Sequence, residues 1–187
     1  LITVIATLLP APVAAADGWA LCGPPLTPAP LGDPANRDGP DTPTRVNARR
    51  VTGKEGRYQL IGDAVINRAD RRVSAERMQY QADPARIEAS GGVRFEQADA
   101  VLTAERAQVN LDDDTGRFSA VSYRIDAGHL HGDAQTVEWL GQRRSRYREV
   151  RLSTCNPGEE LWWIHADTVT LDQQAGQGTA RHAWLSL

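Results

Sequence analysis

One short pattern recurs five times along this sequence and limits the folds that the chain can adopt. Each copy has an alanine, two mostly polar residues, an apolar or small residue, one polar residue and a further apolar or small residue. The alanines follow one another at intervals of 27, 29, 30 and 32 residues and are Ala48, Ala75, Ala104, Ala134 and Ala166. A period of about 30 residues is typical of repeated supersecondary units.

The spacing of apolar residues within the copies favours strands over helices. Apolar positions follow at steps of two, three and two residues, whereas a helix needs them at i, i+3, i+4 and i+7. A β-bulge shifts the alternation in this way and keeps both halves of a strand facing one side. A branched apolar residue stands two positions before the alanine in four copies, and Gly132 breaks the pattern in the remaining one.

Turn signals separate the copies. They are Gly62 with Asp63, Asp83 with Pro84, Gly91 with Gly92, residues 112–116, Ala127 with Gly128, and residues 156–158. Two strands per repeat follow, which makes about ten strands in all. The sequence therefore predicts an all-β sandwich or jelly roll over residues 44–187.

The first strand of such a stack would be an edge. Val46, Ala48 and Val51 lie on this strand, whose charges do little to protect its open backbone groups. A partner sheet could add to it by β-augmentation.

Composition excludes several classes of protein. Of the 187 residues, 41% are hydrophobic and 24% charged, which fits one globular domain. The net charge of -3 and the pI near 5.8 lack the basic excess of a nucleic-acid-binding protein. Beyond residue 16 we find no window apolar enough for a membrane helix and no catalytic or nucleotide-binding motif. We expect no enzyme activity, no cofactor and no nucleic-acid partner.

Residues 1–16 have the features of a signal-peptide remnant. They are uncharged, run apolar through Leu9 and end in three alanines before Asp17. We expect the sequence to start inside a longer reading frame, which could also continue past Leu187. Export to an oxidising compartment favours disulfide bonding of Cys22 and Cys155 over metal binding or nucleophilic chemistry.

Residues 17–43 form a cysteine-containing peptide and a proline-rich linker. Seven of the eleven prolines fall between residues 23 and 43, a composition that resists helix and sheet. Trp19 and Cys22 precede them. The peptide either attaches to another structure or is a disordered leader with an incidental tryptophan, and the sequence leaves both interpretations open.

Three polar motifs carry weaker signals. His129 and His131 would share one strand face, but nothing nearby completes a metal set, so we expect solvent-facing histidines and no metal. Residues 112–116 favour a hairpin turn over a calcium loop. A cluster of arginines could bind lipid phosphates or form a solvated edge. Its members are Arg143, Arg144, Arg146, Arg148 and Arg151.

Eleven large apolar or aromatic residues are candidates for the interior. They are Tyr58, Leu60, Val65, Met78, Tyr80, Phe95, Val109, Phe118, Tyr123, Val137 and Trp139. Alternation predicts a buried face, which favours a closed core for any one of them.

These features resemble the periplasmic N-terminal domain of the LptD (OstA) family of lipopolysaccharide-assembly proteins. The resemblance rests on the alanine repeats, on Tyr58-x-Leu60-x-Gly62-Asp63-x-Val65, on Trp19-x-Leu21-Cys22 before the linker, and on residues 153–158 followed by Trp162 and Trp163. It runs from about Trp19 to Leu187. Soluble bridge proteins of the same transport system share the repeats, and the cysteine motifs favour the outer-membrane component.

The resemblance implies a twisted, open β-jelly roll at the periplasmic face of the outer membrane. Its interior would be an open groove, lined by the eleven candidate residues, that receives the acyl chains of lipid A from lipopolysaccharide. Its N-terminal edge would join a periplasmic bridge protein by strand addition, and its other end would feed a β-barrel that works with a plug lipoprotein. Family cysteines matching Cys22 and Cys155 bond to a cysteine pair near the end of that barrel. This sequence contains no barrel and no second pair, so bonding of Cys22 to Cys155 stays open.

Two alternatives remain at this stage. A soluble bridge protein would carry lipopolysaccharide on the same repeats and would not need the cysteine pair. An exported β-scaffold with a closed core would bind proteins through its sheet edges and hold no lipid.

Overall fold

A computed structural model describes Cys22 and residues 44–68, 71–97, 100–125, 129–141, 143–172 and 174–187. The predicted signal-peptide remnant, and the predicted linker apart from Cys22, lie outside the described residues. No helix with the length and apolar character needed to cross a bilayer occurs in these ranges.

The described residues form an all-β fold with a single antiparallel sheet of twelve strands. The strands are β1 (Arg45–Asn47), β2 (Arg50–Lys54), β3 (Arg57–Arg68), β4 (Arg71–Ala82), β5 (Ala85–Gln97), β6 (Ala100–Asn110), β7 (Thr115–Ile125), β8 (Leu130–Leu140), β9 (Arg144–Ser153), β10 (Trp163–Asp172), β11 (Gln177–Arg181) and β12 (Trp184–Ser186). From β3 to β10 each strand pairs with the next one in sequence.

The short strands are halves of two edge strands. β1 and β2 both pair with β3, and β11 and β12 both pair with β10. The breaks fall at Ala48 and at residues 182–183, level with the repeated alanines of the inner strands. Counting each broken strand once gives ten positions across the sheet, as the sequence predicts.

The predicted bulges lie at the repeated alanines along the sheet but in the neighbouring strands. Between Ile61 and Ala64, β3 has one residue more than the paired stretch of β4. Between Ser90 and Val93, β5 has one residue more than the paired stretch of β6. The extra residues stand beside backbone at positive φ, such as Gly62 and Gly91. The predicted shift of alternation within the alanine copies is confirmed, since Ala75 and Met78 on β4 are both buried. The extra residue itself lies in the neighbouring strand, so its expected place in the alanine copy is wrong.

The sheet curls into two facing layers. β5 and β8 are three positions apart, roughly 14 Å in a flat sheet at about 4.8 Å per strand. The ring centroids of Phe95 on β5 and Trp139 on β8 are nevertheless 5.0 Å apart. One face of the sheet therefore closes on itself, and the core consists of its apolar side chains.

Gly132 breaks the repeat because its neighbours need the space. A Cβ at Gly132 on β8 would overlap the carbonyl oxygen of Arg151 and lie 2.9 Å from the Tyr123 hydroxyl. That hydroxyl donates a hydrogen bond to the same carbonyl at 3.3 Å. Tyr123 thus fills the volume that a branched residue occupies in the other copies.

We predict that Gly132→Ala lowers the free energy of unfolding by about 2 kcal/mol, because overpacking forces backbone or Tyr123 to move. Gly178→Ala is the matched control, since its Cβ would meet only the flexible tip of Leu171 at 3.1 Å and the Thr170 oxygen at 3.9 Å. Its effect should stay below about 0.5 kcal/mol. Urea unfolding measures both, and equal midpoints for the two variants would contradict the packing explanation.

Candidate functional site

Two adjoining cavities lie between the layers of the curled sheet. The larger has a volume of about 450 Å³ and the smaller about 340 Å³. We refer to the two together as the groove. Both cavities are lined by Arg71, Phe95, Val109, Leu111, Asp114 and Trp139. An apolar wall with a few charged groups suits a ligand with an apolar body and a polar end.

Nine of the eleven predicted interior residues belong to the core cluster or pack against it. Leu60, Met78 and Val137 are at most 1% exposed and form closed core. Tyr80, Phe95, Val109, Phe118 and Trp139 line the larger cavity, and Tyr123 lines the smaller one. The closed core and the groove therefore occupy different stretches of the same face.

Two of the predicted residues lie outside this cluster. Tyr58 is 42% exposed and stacks on Tyr80 near the edge, with ring centroids 6.2 Å apart. Val65 lies between the buried residues Ala64 and Ile66. Because successive side chains of a strand point to opposite faces, Val65 points to the outer face.

The groove also contains residues that the sequence interpretation did not select. Ile66, Val73, Ile87 and Leu111 line the larger cavity. A usable signal existed for Val73, which stands two positions before a repeated alanine. Ile87 could have been found by strict alternation from its buried neighbour Ala89.

Two tyrosines lie close together at one end of the groove. The rings of Tyr123 and Tyr147 lie 5.6 Å apart, and both line the smaller cavity. Loss of hydration raises the pKa of each hydroxyl above its ordinary value. This end of the groove is therefore free of tyrosinate charge at any physiological pH.

The predicted partner edge is an edge of the sheet. Among the described residues, β1 and β2 pair with β3 on one side and with no strand on the other. Val46 and Val51 are 42% and 51% exposed, and Ala48 is half-buried. Val46 and Val51 pair with Ile66 and Leu60, so they continue the core face up to the open edge.

Cys22 and Cys155 form a disulfide with each other, which is the pairing that the sequence left open. Their Cα atoms are 4.8 Å apart. The Cys155 backbone N–H donates to Ser153 Oγ at 3.1 Å, and Cys155 O lies 2.8 Å from His131 Nε2. These contacts fix the position of Cys155 in the loop between β9 and β10.

His131 is a packing residue, so its assignment as solvent-facing is wrong. Its side chain is 12% exposed and meets the Trp163 ring edge-on at 5.4 Å. No cluster of His, Cys, Asp and Glu in the described part of the chain is placed to hold a metal ion. Residues 111–114 form the turn between β6 and β7, where Asp112 accepts the Ala85 N–H at 2.9 Å.

The predicted arginine cluster divides between two places. Arg146 and Arg148 lie within 3.7 Å of Glu138, and Arg151 lies 2.7 Å from Asp133 and covers the Trp163 ring. Those three therefore have carboxylate partners on the outer face. The remaining two, Arg143 and Arg144, line the smaller cavity of the groove.

Comparison with known proteins gives a consistent set of sequence relatives. LPS-assembly protein LptD of Alkalilimnicola ehrlichii is 38% identical over 170 residues, covering 89% of this chain and 22% of that protein. LptD of Nitrosococcus oceani is 33% identical over 90% of this chain and 23% of its own length. LptD of Xanthomonas euvesicatoria is 29% identical over 94% of this chain and 23% of its own length.

Other comparisons add little. No family model matches the chain. A crystal structure of LptH, described as the LptA-homologous periplasmic component of the lipopolysaccharide transport device from Pseudomonas aeruginosa, is 12% identical. It covers 82% of this chain and 99% of that one at a TM-score of 0.31, from which we conclude nothing.

The sequence matches share one property, which is that they cover most of this chain and a small part of each relative. This chain spans 22% to 23% of the length of those three LptD proteins. Through that shared segment, the chain belongs to the LptD family of LPS-assembly proteins.

Proposed function

We propose that this chain is the periplasmic part of an LPS-assembly protein, in which the groove receives the acyl chains of lipopolysaccharide and passes them toward the outer membrane. The observation that carries this proposal is the apolar cavity pair between the layers of the curled sheet. A closed protein scaffold would fill this space with side chains, since protein interiors are close-packed.

The chemistry of the groove suits acyl chains. Each methylene moved from water into an apolar site contributes about 0.8 kcal/mol. Ten methylenes would contribute roughly 8 kcal/mol, enough to offset the several kcal/mol that association costs. The sugars would stay in water beyond the charged rim formed by residues such as Arg71 and Asp114. The proposed role is transport, and no step in it converts the lipid chemically.

The first edge of the sheet would be the place where lipid enters. We propose that a periplasmic bridge protein adds a strand beside β1 and β2, where Val46 and Val51 leave the core face uncovered. The protein would work at the periplasmic face of the outer membrane. A barrel and its plug lipoprotein would be contacts of the rest of the LptD length that this chain does not span.

The disulfide supports this role over that of a soluble bridge protein. A carrier that only shuttles lipid needs no cysteine pair, whereas here Cys155 lies in a site with its own hydrogen bonds. We therefore favour the assembly-protein role over the bridge role.

We predict that Val109→Asp lowers the affinity for lipopolysaccharide at least about tenfold, because a carboxylate in the groove would have to share an apolar site with the acyl chains. Gln108→Asp is the matched control, since Gln108 is exposed on the other face of β6. Its effect should stay within about twofold. Fluorescence titration with lipopolysaccharide measures both.

A second variant separates lost binding from lost folding. Val109→Trp fills the groove without adding charge and should reduce binding as well, with circular dichroism reporting on the fold. Absence of binding by the parent protein at micromolar lipid would disprove the proposed function, as would equal affinities for the parent and both Val109 variants.

We predict that Val51→Lys weakens association with a bridge protein of the LptA type about tenfold, because an inward-pointing charge at an edge opposes strand addition. Thr52→Lys places the same charge on the outer face of the same strand and should change the affinity less than about twofold. Biolayer interferometry measures both. Equal effects of the two lysines would show that the partner does not continue the core face at this edge.

A further inference from the structure

Two arginines face each other on the inner side of the sheet at the mouth of the groove. Arg68 ends β3 and Arg71 begins β4, and they are direct cross-strand partners. Both line the larger cavity. Each lies two residues nearer the end of its strand than Ile66 on β3 and Val73 on β4. Like charges directly opposite each other on a sheet repel, so the pair is a favourable position for an anion.

Asp114 approaches this pair from the other layer. It lies in the turn between β6 and β7, and its Oδ1 is 3.5 Å from Nη1 of Arg71. The sheet neighbours of β4 are β3 and β5, so this ion pair joins the layers across the groove. Its side chains are 48% and 71% exposed. An ion pair with that exposure is weak and can be exchanged.

A phosphate would bind Arg71 better than the Asp114 carboxylate does. Guanidinium groups bind phosphate through two parallel hydrogen bonds, with charge assistance and a matching planar geometry. Arg143 and Arg144, which line the smaller cavity, add positive charge on the same rim. The site thus places cationic donors where the apolar groove ends.

We propose that Arg71, with Arg68 beside it, binds a phosphate on the head of the lipid whose acyl chains lie in the groove, and that Asp114 holds the place of this phosphate in the unliganded protein. The inference rests on the proposed function, since it assumes an acyl chain in the groove. Binding exchanges the Arg71–Asp114 ion pair for an arginine–phosphate contact, and Asp114 turns to solvent. No covalent bond changes.

The test compares diphosphoryl lipid A with its dephosphorylated form carrying the same acyl chains. Arg71→Gln should lower the affinity for the phosphorylated lipid about tenfold, the worth of one charge-assisted contact. Asp114→Asn should raise it severalfold, because Arg71 no longer has a competing partner. Neither variant should change the affinity for the dephosphorylated lipid by more than about twofold.

A matched pair of controls lies on the other face of the sheet. Arg72 pairs with Glu96 at 3.5 Å, and both lie on the outer face. Arg72→Gln and Glu96→Gln make the same changes of net charge as the test variants and should leave both affinities unchanged. A general effect of net charge would move the controls and test variants together and would overturn the assignment.

The remaining outcomes are distinct. If Arg71→Gln and Asp114→Asn both weaken binding, the ion pair only holds the layers together and the assignment of a phosphate site is wrong. If both lipids respond equally, the ligand group is not the phosphate. Inorganic phosphate alone at millimolar concentration should not bind, and binding would show a site independent of the lipid. If the parent protein binds neither lipid, the proposed function itself fails.

Discussion

The bend at the repeated alanines is the constraint on which the rest of the structure depends. An extra residue in β3 and in β5, with left-handed backbone at Gly62 and Gly91, bends these strands at the same level. Because the bends are in register across neighbouring strands, the whole sheet folds over along one line. The alanines beside the bends are small and between 3% and 7% exposed on the inner strands, which lets the layers approach closely there.

Core and groove are consequences of that one fold line. Near the fold line, side chains such as Leu60 and Val137 pack closely and exclude solvent. Where Val109 and Trp139 lie, the layers leave a solvent-accessible gap. Stability and ligand capacity thus come from different stretches of one continuous apolar face. A protein of this design keeps a rigid centre and does not need to unfold its core to admit a ligand.

The sequence predicts the fold well because its repeat, its turns and its alternation agree with one another. It predicts about ten strands, the edge position of Val46 and Val51, and most of the inner face. β3 keeps strict alternation from Leu60 to Ile66, so a phase shift expected within this strand places Val65 on the wrong face. The groove depends on contacts between β5 and β8, far apart in the sheet, and His131 packs under a loop 24 residues away. Local patterns carry no information on such contacts.

The strand breaks at the two edges lie level with the repeated alanines, as do the extra residues of β3 and β5. Units of this kind interact mainly with their immediate neighbours, so stability grows by addition and the fold line continues through each new unit. The number of repeats therefore sets the length of the groove. Duplication or loss of a repeat would lengthen or shorten the groove without a change in the bend. The volume of the groove therefore changes in steps of whole repeats.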